Sequence, residues 1–436
     1  MVAKEMPIKI VNLDEAREEI LEGRWPRGKC LDSELLEYAE SIIEDVKRRG
    51  DLALIELTEK FDNVKLTADR LRVSREEIEE AYGKVSDEQI SAIKNAKIRV
   101  EEFEKRILTH SLFNYEDCGV KICRVHRPIA SVGCYIPGGG AAYPSTVIMT
   151  IVPAKVAGVP RVAVCSPPRW DGEINPLTLV AADICGANEI YRVGGIQAVA
   201  ALAYGTETIK PVMKIVGPGN RYVLAAKNII SRDVPIDFPA GPSEIAILAD
   251  EKASPRLIAR DMLSQAEHSI DSISMLITTS LCLAKSVVEE IKRLMSDAPN
   301  REMISQSLER NCLIVISENI DEAIGLINEF APEHLEIMAE NAYELSEEIY
   351  SAGLVLIGNY TPTSLSDYCL GTNHVLPTGG FGQVHSGLSV LNFVRFMNIA
   401  ECSKDALEKL SLTAKVLAES EGLLNHALAI EERIKA

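Results

Sequence analysis

RVAVCSPPRWDGEINPLTLVAADICGANEIYRV, residues 161–193, reads as strand, helix and strand. Arg161–Cys165 is a short, β-branched apolar run of the kind that fills a strand buried on both faces. Leu177–Cys185 is apolar at helical length, and Glu189–Val193 opens a second strand. Short links between such segments leave room for a helical crossover, which is how neighbouring parallel strands are joined.

The alternation extends both ways from that unit. Met213–Val216 reads as a further strand, and Pro144–Gly158, Gln197–Tyr204 and Asn220–Ile230 as helices. A second set follows the turn-rich FPAGPS of residues 238–243, a plausible domain junction. Its strands are Glu244–Ala249, Ser274–Thr278, Leu313–Ile316 and Leu354–Ile357, with helices near 254–268, 283–296, 321–330 and 341–350. Residues 31–110 carry Glu- and Lys-rich segments with helical apolar spacing, and a charged amphipathic stretch runs from about Ala400 to Ala436.

A chain of 436 residues accommodates two or three domains. Apolar residues at 47% and charged residues at 25% are those of an ordinary globular protein. A net charge of −18 argues against nucleic acid and anionic membranes as partners, because phosphate binding needs clustered Lys and Arg. The longest apolar stretch, Val147–Cys165, is interrupted by Pro153, Lys155, Pro160 and Arg161, so no transmembrane helix is expected. No secretory signal opens the chain, and its 10 cysteines form no CxxC pair. Buried thiols in a cytoplasmic protein are expected.

Seven short stretches carry candidate chemistry. YIPGGGAAYPS (135–145) and GPGN (217–220) are glycine turns before helices, where backbone can approach a ligand; each also fits a plain strand-to-helix turn. Neither matches the GxGxxG dinucleotide fingerprint. In DMLSQAEH, Gln265 and His268 stand three apart, on one helix face within reach of one metal ion or on a solvated surface. In APEHL, Glu333 and His334 follow a proline near an expected helix start, as an acid/base pair or as a dipole-favoured first turn. Asp367 in SLSDY lies past an expected strand, as a ligand or an N-cap, and His374 follows in GTNHVLP. His426 in EGLLNH, near the C-terminus, has to reach back to the core or across to another subunit to serve a site.

Taken together and in this order, YIPGGGAAYPSTVIMTIVPAKVAGV, GGIQAVAALAYGT, KIVGPGN, DFPAGPSE, SQAEHS, APEHLE, SLSDY, GTNHVLPTGG, SGLSV and EGLLNH resemble the L-histidinol dehydrogenase family. The resemblance runs from about residue 119 to residue 426. It implies NAD-dependent oxidation of L-histidinol through L-histidinaldehyde to L-histidine. It implies one Zn2+ per subunit, held by Gln265, His268, Asp367 and His426, whose contribution is to orient the substrate. His334 resembles the general base, and Glu333 the residue that activates water in the second half-reaction. Ser243 and Glu421 match substrate contacts, along with the zinc ligands and His334. Tyr135, Gln197 and Asn220 match positions that hold NAD. The family's shared active sites imply a homodimer in which Glu421 and His426 come from the second subunit.

The expected fold class is α/β, with two doubly wound, incomplete Rossmann-like domains and helical extensions at both ends. The expected boundaries are 1–25 for the N-terminal extension, 26–136 with 241–378 for the first domain, 137–240 for the second, and 379–436 for a C-terminal extension touching the partner subunit. The alternative is a dehydrogenase of another primary alcohol, such as a sulfonated diol, in the same superfamily. A metal-dependent hydrolase and a non-catalytic metal-binding protein are more distant readings of the same residues. Cys123, Cys134 and Cys369 read as structural, since no base is specified beside any of them, and His385 is given no role.

Overall fold

The computed structural model describes residues 8–21, 31–239 and 241–435. In chain order the strands are β1 (Lys9–Asn12), β2 (Phe113–Asp117), β3 (Val120–Pro128), β4 (Ser131–Tyr135), β5 (Arg161–Ser166), β6 (Glu189–Arg192), β7 (Ile215–Val216), β8 (Glu244–Ala249), β9 (Ile273–Thr278), β10 (Cys312–Ile316), β11 (His334–Met338), β12 (Leu354–Ile357) and β13 (Val394–Cys402). Two parallel sheets result, one ordered β6-β5-β4-β7 and the other β1-β10-β9-β8-β11-β12. In the first the chain runs from β4 out to β6 and then returns to the far side of β4. In the second it runs from β8 out to β10 and returns to the far side of β8. The switch points therefore lie between β4 and β7 and between β8 and β11.

The central strands are mostly apolar on both faces because helices cover both, though β8 opens with Glu244 and β11 carries His334 and Glu336. Ile245 and Ile247 of β8 enter the core on one side of the larger sheet, while Ala246 and Leu248 enter the core on the other. Val162 and Val164 of β5 divide from Ala163 and Cys165 in the same way. Prolines open the Pro144–Val156, Pro176–Cys185 and Pro255–Ala266 helices, where a missing N–H costs nothing. The α/β fold class with two doubly wound sheets is the one expected.

The packing corrects three details. The helices between residues 33 and 110 lie on the smaller sheet, not with residues 241–378, and β4 is itself the centre of that smaller sheet. The cause is the stripe Leu35, Ala39, Ile42, Ile43 and Val46, which is buried against the Gly195–Tyr204 and Arg221–Ile230 helices. The N-terminal extension is also more than helix, because Lys9–Asn12 adds an edge strand to β10. Residues 1–7 and 22–25 of that extension, and Ala240 of the expected junction, lie outside the described residues. Finally, β2, β3 and β13 form an antiparallel ribbon that no apolar alternation announces, since β2 is exposed at every position. Beyond it the Lys404–Ser420 and Leu424–Lys435 helices pack on each other. Among the described residues no helix is long and apolar enough to cross a membrane.

Candidate active site

Glu333 and His334 sit at the amino end of β11, beside the switch point of the larger sheet. The Ile320–Phe330 helix stops at Ala331, which takes the left-handed conformation (φ 48°), and Pro332 cannot continue it. His334 therefore opens a strand, paired with Ile245 and Leu354, rather than a helix. Ser243 and Glu244 lie at the amino end of the adjacent β8. The Pro255–Ala266 helix runs back from β8 and delivers Gln265 in its last turn, with His268 just past its end. The Thr363–Tyr368 helix runs back from β12 and delivers Asp367. The carboxyl-end placement expected for Asp367 is thus reversed: helices returning from the strands carry the side chains to the amino edge.

Hydrogen bonding decides what each group can do. The buried Glu333 carboxylate accepts the Glu244 N–H at 2.8 Å and the Ser243 hydroxyl. Burial nevertheless pushes its pKa well above the ordinary carboxylate value, helped by the charges of Glu244 and Asp367. His334 Nδ1 faces two acceptors, the Glu244 carbonyl at 3.4 Å and Glu333 Oε2 at 3.6 Å, so its ring proton belongs there. Nε2 then carries a free lone pair. Among the described residues it is buried without a hydrogen-bond partner, and it lies 3.7 Å from Asp367 Oδ1. Burial lowers the imidazole pKa to about 4, against the upward pull of Asp367, so the ring is neutral at ordinary pH. His374, which sequence reading left without a role, joins this group. Its Nδ1 meets the Asp367 carbonyl at 2.8 Å, and its Nε2 lies 3.5 Å from Thr146 Oγ1 on the helix that follows the glycine-rich turn.

Gln265, His268 and Asp367 offer an amide, an imidazole and a carboxylate, a nitrogen and oxygen donor set that suits zinc. Gln265 is 2% exposed, and among the described residues its amide nitrogen has no hydrogen-bond partner. A metal ion would take the amide oxygen of Gln265. The residues fit the ion, yet the set within one chain is short. Among the described residues no three His, Cys, Asp or Glu side chains are arranged to hold a metal. Glu421 and His426 are exposed at and beyond the end of the Lys404–Ser420 helix. Among the described residues no hydrogen bond or ion pair of their side chains joins them to the cluster.

A second concavity, of about 710 Å3, opens at the carboxyl ends of β4–β7, at the smaller sheet's switch point. Tyr135, Gln197 and Asn220 all line it, together with Gly138, Gly195 and Asp62. The Tyr135 hydroxyl accepts the Gly195 N–H at 3.1 Å, and Gln197 Oε1 is buried with no donor. Asn220 caps the following helix through the N–H groups of Tyr222 and Val223 at 3.1 and 3.2 Å. The turn before it needs glycine, because Gly217 has φ 116° and an added Cβ would strike the Tyr135 carbonyl oxygen. A buried ion pair that sequence reading missed, Lys227 with Asp237, holds this turn from both sides. Lys227 Nζ donates to the Gly217 carbonyl at 2.9 Å, and Asp237 accepts the Gly217 N–H at 2.8 Å. Cys134 is fully buried with its thiol pushed up to about 12, which denies it a nucleophilic thiolate.

A family model described as Histidinol dehydrogenase matches residues 26–434. The chain is 46% identical to the Histidinol dehydrogenase of Methanothermobacter thermautotrophicus over 431 residues, covering 99% of this chain and 100% of that protein. With the enzyme of that name from Methanosarcina barkeri it shares 43% identity over 422 residues, covering 97% and 96%. The crystal structure of Histidinol Dehydrogenase from Elizabethkingia anophelis matches it with a TM-score of 0.92 at 38% identity, over 99% of this chain and 98% of that one.

Proposed function

Because this chain belongs to the histidinol dehydrogenase family, we propose that it oxidises L-histidinol to L-histidine in two steps, handing two hydrides to two successive NAD molecules. The observation that carries this reading is the unpartnered Nε2 of buried His334, set between Glu333 and Asp367. A primary alcohol loses hydride only as its hydroxyl proton is taken, and Nε2 is the lone pair placed to take it. For the second oxidation, Glu333 has a carboxyl oxygen oriented by the Glu244 N–H and so can direct a water at the aldehyde carbon. Ser243 lies against the same carboxyl and is placed to hold the substrate.

Gln265, His268 and Asp367, with His426 of a second copy, would hold zinc, which when bound supplies a fixed positive tether for the substrate's imidazole and amino nitrogens. The cavity at Tyr135, Gln197 and Asn220 is the proposed NAD site. The Asn373 amide donates to the Met149 carbonyl at 2.8 Å, so the segment carrying His374 is tied to the helix beside that cavity. Exposed Leu412, Val416, Leu417, Leu424 and Leu428 on the two C-terminal helices support a homodimer that covers them. The buried free thiols Cys134, Cys165, Cys185 and Cys312 support a cytoplasmic location.

A steady-state assay with L-histidinol and NAD, run with and without a strong chelator, tests the reading. Two NADH per histidine, lost on chelation and restored by zinc, are expected. NADH formed from a sulfonated diol but not from L-histidinol would assign the chain a different alcohol.

A further inference from the structure

Below the proposed zinc and substrate cradle lies a carboxyl pair that the chemistry above leaves unused. Glu336 is two residues after His334 on β11, facing the same side of the sheet, and is 1% exposed. Its Oε1 accepts both the N–H and the hydroxyl of Thr363, at 2.7 and 2.8 Å. Its Oε2 is buried, and no donor among the described residues reaches it. What it meets is the Asp261 carboxyl, on the Pro255–Ala266 helix. Two carboxylates cannot bond to each other without a proton between them, and one proton satisfies both. Asp261 stands one helical turn before Gln265, and Thr363 one turn before Asp367, so each shares a face with the side chain it precedes.

We propose that Asp261 and Glu336 are positioning residues, whose shared proton and Thr363 bonds clamp together the three elements that present Gln265, His334 and Asp367. The clamp rests on the proposed function, since it presets the cradle that function uses. Burial raises the proton affinity of both groups, and for Glu336 the charge of Asp261 adds to it, which keeps a proton on the pair.

Amide substitution separates a positioning clamp from ordinary packing. In Glu336→Gln the amide keeps both Thr363 bonds and donates to Asp261; in Asp261→Asn it donates to Glu336 Oε2. Each replaces the shared proton with an N–H. Zinc affinity by chelator competition and KM for L-histidinol should stay within about threefold of the wild type, as expected when outer hydrogen bonds are conserved. Asp261→Ala leaves Glu336 Oε2 without a donor. It should weaken zinc by roughly ten- to a hundredfold and raise KM for L-histidinol, while KM for NAD holds. A folded Asp261→Ala protein with a lower Tm but unchanged zinc affinity overturns the clamp. Should that variant fail to fold, a loss of about tenfold or more in either amide variant overturns it instead. A wild-type chain that binds no zinc overturns the reading of the site itself, and the clamp falls with it. A zinc-binding wild type beside an indifferent Asp261→Ala rejects the clamp alone.

Discussion

His334 owes its chemistry to two acceptors on one side of its ring and nothing on the other. The Glu244 carbonyl and the Glu333 carboxyl face Nδ1, and burial keeps the ring neutral, so Nε2 is the lone pair the proposed base would use. Replacing His334 with Asn removes that lone pair; kcat for L-histidinol should fall by roughly 10²–10⁴. NAD binding, followed by the quenching of protein fluorescence, should not change. A variant that keeps its kcat removes the general base. Glu333→Gln retains an oxygen for the Glu244 N–H but cannot accept a proton from water. Oxidation of supplied L-histidinaldehyde should therefore suffer more than the first hydride transfer, and equal losses would separate Glu333 from the water. At this scale Glu333, His334 and Asp367 stood out as candidates because each sits in a short distinctive run, and the structure brings these three together. Glu244, His374 and Lys227 were not legible, since their roles come from contacts with residues far away in the chain.

Whereas β4 and β11, which flank the switch points, were not read as strands, β5, β6, β8, β9, β10 and β12 and most of the helices between them were legible to within a residue or two. Their apolar runs have no exposed face, and proline or an Asn cap marks the start of several helices. The ribbon of β2, β3 and β13 was not, because exposed antiparallel strands need no apolar stripe. The helices of residues 33–110 were recognised as helices but assigned to the wrong sheet, since an apolar stripe does not name the surface it meets. Two consequences can be measured on individual elements. Gly217→Ala puts a Cβ against the Tyr135 carbonyl at positive φ, in the turn gripped by Lys227 and Asp237. It should cost on the order of 1–3 kcal/mol and raise KM for NAD more than KM for L-histidinol; an unchanged KM for NAD separates this turn from the cofactor. Glu104, on the Asp87–His110 helix, is buried beneath Val390, whose N–H it accepts at 2.7 Å. Burial raises its pKa from 4.5 to about 7. The folded state therefore binds this proton more tightly than the unfolded state does. Its contribution is complete below about pH 4.5 and is lost as pH rises through about 7. Glu104→Gln should flatten the fall in stability over that window by roughly 3 kcal/mol at most, read from urea melts across pH. A fall of the same steepness in the variant assigns the pH dependence to other groups.

Across the whole molecule the proposed cofactor cavity and the Glu333–His334 cluster lie at opposite strand ends of their sheets. The proposed cofactor cavity takes the carboxyl ends of β4–β7, as open α/β sheets generally do, while the acid/base and ligand cluster takes the amino ends of β8 and β11. Among the described residues no three His, Cys, Asp or Glu side chains of that cluster are arranged to hold a metal, while Glu421, just past the Lys404–Ser420 helix, and His426, on the helix after it, are exposed. In the proposed two-fold dimer each copy would take its missing residues from the other. Mixing two inactive variants tests this directly. His334→Asn spoils a site through the subunit that owns β11, and His426→Ala spoils it through the subunit that lends its C-terminal helix. In a mixed dimer one site collects both changes and the other collects neither. Random exchange of equal amounts makes half the dimers mixed, so activity should return to roughly a quarter of the wild-type value. If each chain completes its own site, every site in the mixture carries one change and no activity returns. Recovered activity should track the fraction of mixed dimers isolated by differential tagging, each carrying one intact zinc and substrate site.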